Sequence, residues 1–217
     1  MLKCSPLFQY ILSFLHYPCK FDVISLNDER TERFDGTVAV KDKVIFVPCR
    51  ADAVGVLDTS IQDGDSSSFS TVGLGGLVSG DFKFAGAAVI DSKVYFAPSN
   101  AGVIGVFDTA ANEGKGEFST ISLEDKVSQV GYLFNGAVAI QNKVYFIPYT
   151  GGVLGVLDTA AKAGESRFST IEMDEDMEYD FDDFLGAAVV GNEIVFVPYN
   201  ADVVLVFDTS ANEGVGV

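Results

Sequence analysis

An all-β fold, a four-bladed β-propeller of four-stranded antiparallel blades, is what this sequence predicts, on three observations. One phrase recurs four times at a period of 50, from Val47-Pro48 to Thr59, Ala97-Pro98 to Thr109, Ile147-Pro148 to Thr159 and Val197-Pro198 to Thr209. A period in this range marks propellers, solenoids and related arrays. The apolar runs within each copy are five or six residues long, rich in Val, Ile, Phe and Tyr, and apolar on both faces. They are too short for helices and need cover on both sides. Third, Phe-Ser-Thr follows the first three copies at Phe69, Phe118 and Phe168, whereas the fourth would reach its Phe one residue past Val217. The segment Phe21-Asp22-Val23-Ile24-Ser25-Leu26 reads like Phe118-Ser119-Thr120-Ile121-Ser122-Leu123. A ring closed by this N-terminal strand, Phe21–Leu26, completing the C-terminal blade accounts for the displacement and removes an exposed sheet edge.

Within a repeat the elements follow in order. Gly86 to Ile90 and Val94 to Ala97 flank the polar Asp91-Ser92-Lys93 and read as a tight hairpin, strands a and b. Pro98 and small residues release the chain into strand c, Val103 to Phe107, and a polar loop leads to strand d, Phe118 to Leu123. The expected organisation is a non-repeat segment 1–20 and one propeller domain 21–217, with blades near 34–74, 84–123, 134–173, and 184–217 plus 21–26.

Of the 217 residues, 48% are apolar, ample for one substantial core. Lys plus Arg total 14 against 31 Asp plus Glu, a formal charge of −17, which argues against nucleic acid and anionic membrane surfaces as partners. Cations and basic proteins fit that charge. Cys4, Cys19 and Cys49 lack metal-ligand spacing and have only His16 to help them, so a zinc site is not expected. Leu7 to Leu15 is an apolar stretch after Lys3, too short to span a bilayer. Gln9 and the lack of a small-x-small cleavage site favour a cytoplasmic chain, with secretion the alternative if residues 1–20 act as a signal peptide.

Positions that stay fixed among the four repeats serve the blade. Phe34, Phe84, Phe134 and Phe184, with Phe46, Phe96, Phe146 and Phe196, read as interblade core. Gly36, Gly86, Gly136 and Gly186 open the innermost strand, where a side chain would crowd the axis, and are expected to line the channel. Asp58, Asp108, Asp158 and Asp208, each followed by Thr, read as turn formers accepting hydrogen bonds from backbone N–H groups just ahead.

Variation is concentrated in the b-c and d-a loops, which leave the same end of every blade. The candidate binding residues there are Arg50, Asp52, Asn100, Tyr149, Thr150, Tyr199, Asn200 and Asp202. The third d-a loop carries eight carboxylates between Glu172 and Asp183, among them Asp174, Asp176, Asp180 and Asp182. Such a run is either a calcium site or basic-partner dock, since hard cations take several convergent carboxylates, or a solvated block of like charges. The ligand order of an EF-hand is absent. No cofactor is expected unless that acidic run takes calcium.

The succession of small-residue strand, hairpin turn, Val-Tyr-Phe strand, Val-x-Val-Phe-Asp strand and aromatic-led last strand resembles the kelch class of propeller blade over residues 21–217. Pro48, Pro98, Pro148 and Pro198 stand where kelch repeats carry Gly-Gly, and the chain has no Trp. Four blades of this length also resemble the hemopexin arrangement. That likeness implies an ion ringed by innermost carbonyls beside Thr37, Ala87, Ala137 and Ala187, with water as an equal occupant.

No Gly-x-Ser-x-Gly elbow, phosphate-binding Gly-x-x-x-x-Gly-Lys or repeat-borne His is present. The functional expectation is a non-enzymatic, monomeric binding or scaffold module that presents its variable loops to a protein or glycan partner. Two alternatives stand beside it: a carboxylate-based glycoside hydrolase or lyase at the channel mouth, and a fragment of a larger kelch-like propeller.

Overall fold

The computed structural model describes residues 33–61, 68–123, 127, 131–150, 152–162, 167–173 and 184–211. Three antiparallel meanders of four strands succeed one another. The first runs β1 (Phe34–Val40), β2 (Lys43–Pro48), β3 (Ala53–Asp58) and β4 (Phe69–Gly73). The second runs β5 (Phe84–Ile90), β6 (Lys93–Pro98), β7 (Val103–Asp108) and β8 (Glu117–Ser122). The third runs β9 (Phe134–Ile140), β10 (Lys143–Pro148), β11 (Val153–Asp158) and β12 (Phe168–Glu172). A fourth sheet holds β13 (Phe184–Val190), β14 (Glu193–Pro198) and the short β15 (Val206–Asp208). We refer to the sheets as blades 1 to 4.

Local chemistry sets each boundary. The a-b hairpins close over two residues, with Val40 opposite Lys43 and Ile90 opposite Lys93, and their first loop residues, Lys41, Asp91, Gln141 and Gly191, all sit at positive φ. Each b strand ends on its proline, which has no N–H to continue the ladder. The Asp at each c-strand end accepts a backbone N–H two residues ahead: Ser60 to Asp58 at 2.9 Å, Ala110 to Asp108 at 3.0 Å, Ala160 to Asp158 at 2.8 Å and Ser210 to Asp208 at 2.9 Å. The following threonine hydroxyls donate to carbonyls of the a-b hairpins, tying the two loops at that end of each blade.

Strands β1, β5, β9 and β13 lie side by side at the centre, and the glycines explain how. A Cβ placed on Gly36 would lie 3.2 Å from the Gly86 Cα, on Gly86 2.7 Å from the Gly136 Cα, and on Gly136 2.8 Å from the Gly186 Cα. All four also adopt positive φ, between 75° and 102°, at a break in the a-b register that the sequence pattern did not reveal. The position therefore requires glycine twice, for conformation and for closeness.

Every blade has two unlike faces. One carries the rings of Phe84, Phe96, Phe107 and Phe118, with Val94 beside them, in blade 2; the other carries aliphatics, Val40, Ile45, Val47, Val54 and Val56 in blade 1, and the two sets form one buried cluster. The same joint recurs between blades 2 and 3, where Tyr95, Ala97, Ile104 and Val106 meet Phe134, Phe146 and Phe168, and between blades 3 and 4. Room for the rings is made by glycine: a Cβ on Gly55, Gly105 or Gly155 would come within about 3 Å of them. Blade 4 has Leu205 at this position, packed into the cluster with Phe184 and Phe196, and its c strand is correspondingly short.

The fan has two ends. Among the described residues a Cβ on Gly186 meets nothing within 4 Å, where the repeat pattern of a four-blade ring would place it against Gly36. The aliphatic face of blade 4 is open, with Val190 63%, Val197 48%, Val204 63% and Val206 49% exposed. At the other end Phe34, Phe46 and Phe69 of blade 1 are half-buried, whereas Phe84, Phe96 and Phe118 of blade 2 are buried. The expected closing strand Phe21–Leu26 lies outside the described residues.

Candidate functional site

A cavity of about 330 Å³ opens at the end of the fan formed by the b-c and d-a loops. Three variable repeat positions and the invariant Phe84 build it. Residues following the strand-b proline contribute Cys49, Ser99 and Tyr149; those following the first Phe of strand a contribute Asp35, Ala85 and Asn135; those two places before that Phe contribute Phe82 and Tyr132. The blade frame is uniform, so the chemistry of the cavity is written in three variable columns.

Its aromatic side is a packed wall. Phe82 and Tyr132 meet edge to face with centroids 5.6 Å apart, and Tyr132 and Tyr149 at 6.1 Å. Rings in mutual contact leave no room for a cation between them, so this is a platform and not an aromatic cage. The cationic group present is the protein's own: the Arg50 guanidinium lies 4.3 Å from the Phe82 centroid, with its Nε 3.9 Å from Asp81. Asp35 supplies the carboxylate. Neighbouring protein atoms strip part of its hydration and raise its pKa above the usual carboxylate value, although the residue still meets water.

The expected binding residues divide into four sets. Tyr149 lines the cavity. Arg50, Asn100 and Thr150 support the loops around it, the Asn100 N–H donating to the Phe82 carbonyl at 2.9 Å and the Thr150 hydroxyl to the Tyr132 carbonyl. Asp52 forms an ion pair across the joint with Lys83, whose ammonium is 3.6 Å from its carboxylate and donates to the Gly80 carbonyl at 2.8 Å. Tyr199, Asn200 and Asp202 are exposed at the blade 4 end and do not line the cavity. Asp174, Asp176, Asp180 and Asp182 lie outside the described residues. Among those described, no three His, Cys, Asp or Glu side chains gather to hold a metal, and no helix is long and apolar enough to cross a membrane.

Sequence reasoning missed Asp35, Asn135, Phe82 and Tyr132. The signal for the first two is the residue after the invariant Phe, which changes from Asp35 to Ala85, Asn135 and Leu185.

No described protein family and no curated protein matches this sequence. Solved structures do match. Virginiamycin B lyase from Staphylococcus aureus is similar at 14% identity over 81% of this chain and 51% of that one, with a TM-score of 0.58. A streptogramin B lyase is similar at 14% identity over 85% and 57%, with a TM-score of 0.53. The computationally designed Ika4 protein is similar at 13% identity over 87% of this chain and 98% of the design, with a TM-score of 0.54. The fold is a β-propeller. This chain spans about half the length of the first lyase.

Proposed function

We propose that the protein is a non-enzymatic binding module whose b-c and d-a loops take a glycan. The observation that supports this reading is the cavity itself: a continuous aromatic platform beside a small set of hydrogen-bonding groups, Ser99, Asn135 and Asp35. Sugar rings offer apolar C–H faces that stack on such a wall and hydroxyls that bond to such groups. Among the described residues, Asp35 is the one carboxylate that lines the cavity. Hydrolysis of a glycosidic bond ordinarily uses two carboxylates flanking the bond, so this lining supports binding over cleavage. The lyase neighbours, at 14% identity, speak to fold alone.

The test is a titration of the chain against a panel of neutral oligosaccharides by calorimetry. Binding should weaken roughly thirty-fold, about 2 kcal/mol, in Tyr149→Ala, as for an aromatic anchor at the centre of a contact. Cleaved product in the same mixtures would replace this reading with the hydrolase or lyase. Absence of any glycan binding, with retained capture of a basic protein, would move the function to the protein partner.

A further inference from the structure

The two ends of the fan are the two halves of one joint. Blade 4 presents Val190, Val195, Val197, Val204 and Val206, the positions that in blades 1 to 3 receive the next blade's rings. Blade 1 presents Phe34, Phe46 and Phe69 around Gly55, the set that in blades 2 and 3 is pressed into the preceding blade. We propose that a second copy of this chain fills both ends, blade 1 of each copy seating on blade 4 of the other, so that two four-blade fans close one ring.

Three observations choose this occupant. First, the faces match in shape and chemistry by a rule the chain applies three times internally, and large apolar faces of this kind mark interaction sites. Second, the charges match. The joint between blades 1 and 2 carries Asp52 against Lys83; the equivalent positions are Gly102 and Leu133 at the next joint and Gly152 and Asp183 at the third. At the open ends they are Asp202 on blade 4 and Arg33 on blade 1, which restores an acid facing a base. The backbone bond that crosses the first two joints, Lys83 N–H to the Cys49 carbonyl and Leu133 N–H to the Ser99 carbonyl, both 3.0 Å, has Arg33 and Tyr199 as its equivalents. Third, the described fan stops short of a full turn: Gly186 stands away from Gly36 instead of against it, which leaves an arc for another copy to fill. A head-to-tail contact that turns through half a circle per copy closes at two copies.

The experiment is native mass spectrometry and light scattering on the full chain at tens of micromolar. The expected mass is twice 23.2 kDa. Val204→Arg places a charge on a side chain that is 63% exposed in the single copy, so it should leave the circular dichroism spectrum unchanged and raise the dimer dissociation constant by roughly a hundredfold or more. Asp202→Arg should also weaken the dimer, and adding Arg33→Asp should recover it. A monomeric wild-type mass overturns the proposal in favour of closure within the chain, a trimer or open polymer overturns the half-circle, and a dimer indifferent to both Val204→Arg and the charge exchange places the contact elsewhere.

Discussion

Replacing Gly86 by alanine separates the two demands made on the central glycines. The residue sits at φ +75°, where an L side chain costs roughly 1–2 kcal/mol. Its Cβ would also lie 2.7 Å from the Gly136 Cα, a backbone atom that cannot swing aside, and overpacking of that kind costs roughly 1–3 kcal/mol. Gly186→Ala incurs the first cost without the second: φ is +86° and nothing described stands within 4 Å. Calorimetric unfolding should therefore place Gly86→Ala below Gly186→Ala by about 1–3 kcal/mol, or roughly 2–12 °C for a chain of this size. The comparison belongs in the Val204→Arg background, because docking of a second copy would bring Gly36 up to Gly186. Equal losses in that background would refute the close-approach account and leave backbone conformation as the whole reason for glycine.

Hydrogen bonds from Ser60 and Ser210 hold Asp58 and Asp208 below the usual carboxylate pKa. A depressed folded-state pKa contributes stability that is present above the unfolded value and lost as pH falls through the folded one. Asp58→Asn and Asp208→Asn should thus flatten the acid limb of a stability-against-pH curve below about pH 4 while changing little at neutrality, since an amide oxygen still accepts the bond. The Lys83 side chain is 1% exposed; Lys83→Met should stay within about 1 kcal/mol of wild type and Lys83→Ala fall about 2–5 kcal/mol below it in urea titrations. We also propose that Phe21–Leu26 adds the fourth strand to the blade 4 on which its own blade 1 is seated, that of the second copy in the shared ring. Deletion of residues 1–26 should then lower the unfolding midpoint substantially, several apolar side chains at roughly 1.5–3 kcal/mol each being lost, and an unchanged midpoint would remove that strand from the fold.

The blade was legible because its rules are local. Strand c was expected at Val103 to Phe107 and runs Val103–Asp108, and the Asp-Thr turns form as the spacing implies. The open fan was not legible, because the joint between blades uses the same residues whatever the number of blades; the angle is set by how far ring faces and aliphatic faces interpenetrate, a sum over many contacts. One sequence departure did carry information. Leu205 breaks the column of Gly55, Gly105 and Gly155, and where a Cβ on Gly105 would lie 2.8 Å from Phe96, a leucine leaves the last c strand short. The cavity was half legible: the variable end of the blade was identified, and Tyr149 with it, but Phe82 and Tyr132 end loops of unlike sequence, where alignment by repeat is least informative.

Because each blade is a socket on one side and a plug on the other, the array has a direction, and its ends remain one plug and one socket however many units lie between them. A gene encoding it can gain or lose a whole unit of about 50 residues without remaking any joint. What such an event alters is the arc that remains to be closed, and with it the number of chains that share a ring. Copy number in the gene and copy number in the assembly are, for this architecture, two divisions of the same circle.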